Sequence, residues 1–321
     1  MKSFVTCIMT ILALILPSLA LNHHQAKQIS PYADRRHPVS TQPNFSFEQL
    51  LNLTTTFFDH FLYPLNSIQA KSINSSLFAV DVLGRVDATR TFDGRELNTE
   101  YAFGLFANIA LNPSSFTLLG IPVSYDITHF AANQNIVSLV TIVSFEIPTL
   151  GVTVPVEVDF WITFNAQGQV SQYDSSFRYL QWQFDYLYKL AMPLLKVNST
   201  SAVIEEASLL LASSICSTAQ KYCIGTNKQY DTLDACNKFL TKDVRFGQAY
   251  ELGRNTLLCR MVHQNMVPSR PDIHCPHIGP SGGGYCNDDM TYIGTVLQPY
   301  FKNAPFVPYG HQNKNSTIAA M

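Results

Sequence analysis

The residues of this chain whose types and spacing could do chemistry are three histidines and six cysteines, all in its last third. His263 sits four residues after Cys259, and His274 and His277 flank Cys275-Pro276. Three imidazoles near cystines suit a zinc or copper ion, because neutral imidazole ligates both. Against this, RPDIHCPHIGPSGGGYC is rich in Pro and Gly and reads as irregular chain without fixed ligand spacing. No carboxylate stands at a recognised offset either, so the expectation is hydrogen-bonded structural histidines and no metal. Successive cysteines among Cys216, Cys223, Cys236, Cys259, Cys275 and Cys286 are separated by 6, 12, 22, 15 and 10 residues. That set contains no C-x-x-C, which argues against zinc held by thiolates and for three disulfides, whose 15 pairings spacing cannot resolve. Ser281-Gly282-Gly283-Gly284 lacks the Lys-Ser/Thr of a phosphate loop and has no strand-to-helix context around it. No cofactor is expected.

Disulfides need an oxidising compartment, and the first residues supply one. MKSFVTCIMTILALILPSLA has a basic start, an apolar centre from Phe4 to Leu16, and the small-x-small site Ser18-Leu19-Ala20. This predicts a cleaved secretory signal over 1–20, because the apolar run is short of the roughly 20 residues of a membrane span. Cleavage removes Cys7 and leaves an even number of cysteines; no later segment reads as long and apolar enough to span a bilayer. Asn-x-Ser/Thr sites at Asn44, Asn52, Asn74, Asn198 and Asn315 are expected to carry glycans. The 321 residues are 46% apolar, 12% aromatic and 14% charged, which excludes wholesale disorder. With 21 basic and 23 acidic residues there is no electrostatic footprint for nucleic acid.

The elements that must position these groups are legible in the hydrophobic period. Residues 21–45 are polar and predict a flexible leader. From Phe45 to Leu65 the pattern Leu50, Leu51, Phe57, Phe58, Phe61 predicts an amphipathic helix stopped by Pro64. Residues 78–92 alternate, with Val80, Val82, Gly84, Val86 and Ala88 inward. Residues 95–110 return to helical spacing through Leu97, Tyr101, Leu105 and Ile109. Strands follow over 115–121, 123–130, 135–147 and 152–164, and Asn165-Ala166-Gln167-Gly168 turns into a last strand over 169–178. Residues 201–241 read as helical, with Asp231 as a cap, and a further helix is expected near Asn255–Met266.

Helix, strand, helix and a meander of long strands is an α+β order. It resembles the NTF2-like superfamily, particularly its SnoaL-like branch, over about residues 46–190. FNAQGQVSQYDSSFR looks like the closing hairpin of those domains, and VLGRVDATRTFDGRELNTEYAFGLF like the strand and pocket-side helix. The resemblance implies a cone of curved antiparallel sheet around an apolar pocket, fused to a stapled helical module as in secreted proteins of filamentous fungi. The domains expected are a signal peptide at 1–20, a leader at 21–45, the pocket domain at 46–195, a Cys-rich helical module at 196–302 and a flexible tail at 303–321.

Acid–base work in such a pocket needs ionisable groups on a concave apolar surface, where desolvation raises a carboxylate's pKa. Asp87, His129, Glu146 and Asp174 are the candidates, from a wider set that includes Glu100 and Asp159. The candidate ligand contacts are Phe103, Phe106, Tyr125, Trp161 and Tyr173, beside Phe145. No constellation among these rises above ordinary core and surface roles. The reading is therefore a secreted glycoprotein whose apolar pocket binds a small hydrophobic metabolite in an accessory role. The alternative, implied by the resemblance, is a cofactor-independent cyclase, isomerase or dehydratase of secondary metabolism. The resemblance also implies a homodimer through the exposed sheet face.

Overall fold

The computed structural model describes residues 43–112 and 115–298. The signal peptide, most of the leader, the tail and Asn315 lie outside them. Helix α1, Phe47–Phe61, opens on a capping box: the Ser46 hydroxyl accepts from the Gln49 N–H while the Gln49 side chain accepts from the Ser46 N–H. It buries Leu50, Thr54, Phe57 and Phe58. The chain turns through the cis Tyr63–Pro64 bond into α2, Leu65–Ser72, a short helix that the sequence reading did not foresee.

Strand β1, Phe78–Val86, departs from simple alternation. Val80, expected inward, is 73% exposed, and the pairing register shifts between Phe78 and Leu83. That irregularity turns Phe78 and Ala79 inward, while Val82 is buried as expected. A short β2, Thr91–Asp93, leads into one helical segment made of α3, Arg95–Thr99, a π-turn over Glu100–Gly104, and α4, Leu105–Leu111.

Strand β3 runs unbroken over Ile121–Asn133, which corrects the two strands expected on either side of Pro122. Pro122 is tolerated because β3 is an edge strand and the proline lies at its start. Strands β4, Ile136–Ile147, and β5, Val152–Phe164, keep the expected alternation. In the β5–β6 turn the Asn165 side-chain oxygen accepts from the backbone of Gln167 and Gln169, and Gly168 takes φ +72°. Strand β6 is Val170–Phe177. The order is β2-β1-β6-β5-β4-β3, antiparallel throughout except that β1 runs parallel to β6. The sheet is thus mixed, with its helices against the inner face, in the α+β arrangement expected.

The rest is helical. The elements are α5, Leu180–Leu195, unread in the sequence; α6, Thr200–Tyr222; α7, Leu233–Lys242; α8, Leu257–Gln264; α9, Pro271–Ile278; and α10, Tyr292–Val296. Ser199, Thr232 and Thr256 cap α6, α7 and α8, each accepting the backbone N–H three residues on. Thr232 takes the capping role expected of Asp231. Helix α9 corrects the irregular chain expected there: Pro271 stands in the first turn, where a missing N–H costs nothing. Disulfides Cys216–Cys236, Cys223–Cys275 and Cys259–Cys286 tie α6 to α7, the end of α6 to α9, and α8 to the loop after α9.

Among the described residues α6 is long and apolar enough to cross a membrane by length and composition, contrary to the reading above. Its buried face (Val203, Ala207, Leu211, Ala212, Ile215) packs in the core with Leu240 of α7 and Leu258 and Met261 of α8. The same core takes in Phe92, Tyr101, Leu105 and Leu118, so sheet-side and helical segments share one apolar interior. A second cluster joins Leu50, Phe57 and Phe58 of α1 to Val137, Leu139, Ile162 and Phe164 of the sheet.

Candidate functional site

Between these clusters the inner face of the sheet leaves a cavity of about 150 Å³, the scale of an engineered apolar cavity that admits benzene. Strands β4 and β5 contribute Val143, Phe145, Val156, Val158, Phe160 and Ile162, and α1 contributes Phe57, Phe58 and Phe61. The helical segment adds Tyr101, Leu105 and Phe106, and the carboxyl-terminal part closes one side with Phe184, Leu252 and Val262. The polar side chains of the wall are Thr89, Tyr101, Tyr173, Ser175 and Gln183, and among the described residues no Asp, Glu, His, Lys or Arg lines it. Burial pushes the Tyr173 hydroxyl well above the ordinary phenol range. The side-chain oxygen of Gln183 is buried without a hydrogen-bond partner.

Of the candidate ligand contacts, Phe106, Tyr173 and Phe145 line the cavity. Phe103 is fully buried among Phe57 and Phe78, one layer away. Tyr125 tilts against Phe58 and donates its hydroxyl to Asp59, and Trp161 is 42% exposed on the opposite face of β5. The four acid–base candidates are not brought together and none lines the cavity. Asp174 and Glu146 sit between inward residues, so their parity turns them outward; Asp174 pairs with Arg85, whose Nε donates at 2.9 Å. His129 is exposed on β3 beside Thr128. Asp87, exposed at the end of β1, accepts from the Phe177 N–H, and partial burial of its oxygens raises its carboxyl from the usual value. Asp159 pairs with Arg178 on the outer face.

Behind the cavity wall stands the histidine cluster. Helix α9 puts His274 and His277 three residues apart on one face, against His263 of α8. His263 Nδ1 lies 2.9 Å from His277 Nδ1 and 3.5 Å from His274 Nδ1, and all three rings are buried. Burial first, then the neighbouring imidazoles, drives His263 well below its usual pKa; the same causes bring His277 down to about 3. Both are therefore neutral at physiological pH. Glu100 Oε2 stands 3.3 Å from His274 Nε2, and Glu100 is held in turn by Arg270 at 2.7 Å. Tyr101 links cluster to cavity: its ring lines the wall, stacked on Phe92 with centroids 3.9 Å apart, and its hydroxyl lies 3.2 Å from His263 Nε2. Burial raises that hydroxyl far above the usual phenol range.

Sequence reasoning missed Tyr101 and Gln183. Tyr101 counted only as one apolar position of a helix, and the π-turn that carries Glu100 and Tyr101 to the carboxyl-terminal helices leaves no mark in the period. Gln183 lies on α5, whose aromatic spacing (Phe184, Leu187, Tyr188) was available but unread.

Fold and cavity define an apolar pocket on a mixed, helix-covered sheet, joined to a cystine-stapled helical segment. Residues 55–175 match the model of the BfoA N-terminal domain and residues 179–289 that of the BfoA family C-terminal domain. The chain belongs to the BfoA family. It is 49% identical over 265 residues to the Aurasperone B biosynthesis cluster protein A of Aspergillus niger, covering 82% of this chain and 85% of the relative. With the Bifonsecin B biosynthesis cluster protein A of Aspergillus brasiliensis it shares 48% over 266 residues, 83% of this chain and 88% of the other. The crystal structure of a putative SnoaL-like polyketide cyclase from Jannaschia Sp. CCS1 aligns over 47% of this chain and 94% of that one, with a TM-score of 0.31 and 14% identity.

Proposed function

We propose that this protein is a secreted glycoprotein that holds a small hydrophobic metabolite of secondary metabolism in its cavity, in an accessory role. The observation that carries the reading is a wall of aromatic and branched side chains without a charged group among the described residues. Relatives named for biosynthesis clusters support the metabolic setting. Asn44, Asn52, Asn74 and Asn198 are exposed, as glycan acceptors must be, and the disulfides suit an extracellular setting. A cyclase or isomerase would need acid–base groups within reach of a bound substrate, and the titratable groups on this wall are two tyrosines raised by burial. The same proposal takes the outer sheet face around Trp161 as the surface for a second copy, read by light scattering.

Toluene and phenol, isosteric rings, test the cavity by ligand-observed NMR. Saturable toluene binding is expected, abolished by Val143→Trp, which fills the space. A folded chain that binds neither ring overturns the reading. The amino-terminal sequence and glycan mass of protein recovered from culture medium test secretion.

A further inference from the structure

We propose that His263, His274 and His277 form a metal site, holding one first-row divalent ion, Zn²⁺ in the first instance, behind the cavity wall. This assignment is independent of what the cavity holds. Each histidine offers one nitrogen, and the three lie within 4.8 Å of one another. The Nδ1 separations of 2.9 and 3.5 Å bracket the edge of about 3.3 Å that a tetrahedron with Zn–N of about 2.0–2.1 Å requires.

Proton counting argues against three merely hydrogen-bonded rings. A neutral imidazole carries one N–H. If His274 carries its proton on Nε2, where the Glu100 carboxylate stands 3.3 Å away, its Nδ1 is a lone pair facing His263. His263 and His277 cannot both be protonated at Nδ1, because two hydrogens would collide across 2.9 Å. At least two lone pairs therefore converge on one buried point with at most one proton among them. A divalent cation satisfies all three nitrogens at once.

The surroundings are those of a built site. Glu100 stands 3.3 Å behind His274, in the place a carboxylate takes behind a metal-bound imidazole, and Arg270 fixes Glu100. The Tyr101 hydroxyl, 3.5 Å from His263 Nδ1, is the oxygen beside the cluster on its cavity side. Cys259 and Cys286, also close to His263, are joined in a disulfide and offer no thiolate. All three histidines are neutral borderline donors, which fits Zn²⁺ or Cu²⁺ better than a hard ion such as Ca²⁺ or Mg²⁺.

The test uses the full chain, purified untagged and without chelator, with its disulfides verified by mass. Elemental analysis should find one equivalent of metal per chain. After chelation, Zn²⁺ or Cu²⁺ should be taken up again at one equivalent with a rise in melting temperature, and Co²⁺ should give the visible absorption of a tetrahedral nitrogen-rich site. His274→Asn/His277→Asn should lose the equivalent, whereas His23→Ala/His24→Ala near the amino terminus should keep it. Glu100→Gln should weaken Zn²⁺ by about 10- to 100-fold, the usual effect of losing an outer partner. A wild-type chain that takes up neither Zn²⁺ nor Cu²⁺, or a folded double variant that retains its metal, overturns the proposal. Should the double variant not fold, the wild-type titration and Glu100→Gln still decide.

Discussion

Arg245 grips Asp288 through two nitrogens, each at 3.0 Å, and Glu251 through one at 2.9 Å. The Arg245 hydrogen bond holds the Asp288 carboxyl below its ordinary pKa. A carboxyl lowered on folding adds stability above its unfolded pKa and loses it as the pH falls through the folded value. Asp288 is 49% exposed, so screening keeps the contribution under about 1 kcal/mol. Asp288→Asn should lower the melting temperature by about 2 °C at neutral pH and leave it unchanged in acid below both carboxyl pKa values; an equal loss at both pH values refutes the assignment. At this scale the sequence displays types but not partners. His274 and His277 were visible as ligands in kind, yet their common face depended on a helix hidden by two prolines. Asp174 looked suited to chemistry until parity turned it toward Arg85.

Elements were legible where one interaction dominates. Strands β4 and β5 each have one buried face, so every second residue announces its direction. Strand β1 was misread because pairing with β6 overrides alternation through a register shift. The same strand places Gly84 where a Cβ would collide with the Asn98 side chain and the Tyr173 hydroxyl. Gly84→Ala should therefore push Tyr173 off the cavity wall, destabilising by about 1–3 kcal/mol as overpacking does and weakening toluene binding in the NMR assay. Unchanged melting and unchanged binding would show that the wall can yield without consequence. The π-turn is the opposite case: it sets Glu100 beside His274 and Tyr101 beside His263, yet only the folded partners reveal why the helix widens there.

On the scale of the whole molecule, the carboxyl-terminal segment is structural to the cavity, because Phe184, Leu252 and Val262 complete its wall. The cystine pairing decides how firmly they are held, and spacing alone could not resolve it. Cys223–Cys275 closes the longest interval, 52 residues, worth about 4 kcal/mol by chain-entropy reckoning. Cys223→Ala/Cys275→Ala should lower the melting temperature by roughly 10 °C, more than loss of Cys216–Cys236, which closes 20 residues. A larger loss for the shorter loop would show that strain or packing sets the order instead.

The placement of the indoles has an optical consequence. Both tryptophans of the chain, Trp161 and Trp182, are exposed, at 42% and 69%, and neither lines the cavity. Their emission will track the solvent on the outer surface and stay blind to anything bound within. Light absorbed by Tyr101 and Tyr173, whose rings form part of the wall, is the intrinsic signal that an occupant can perturb.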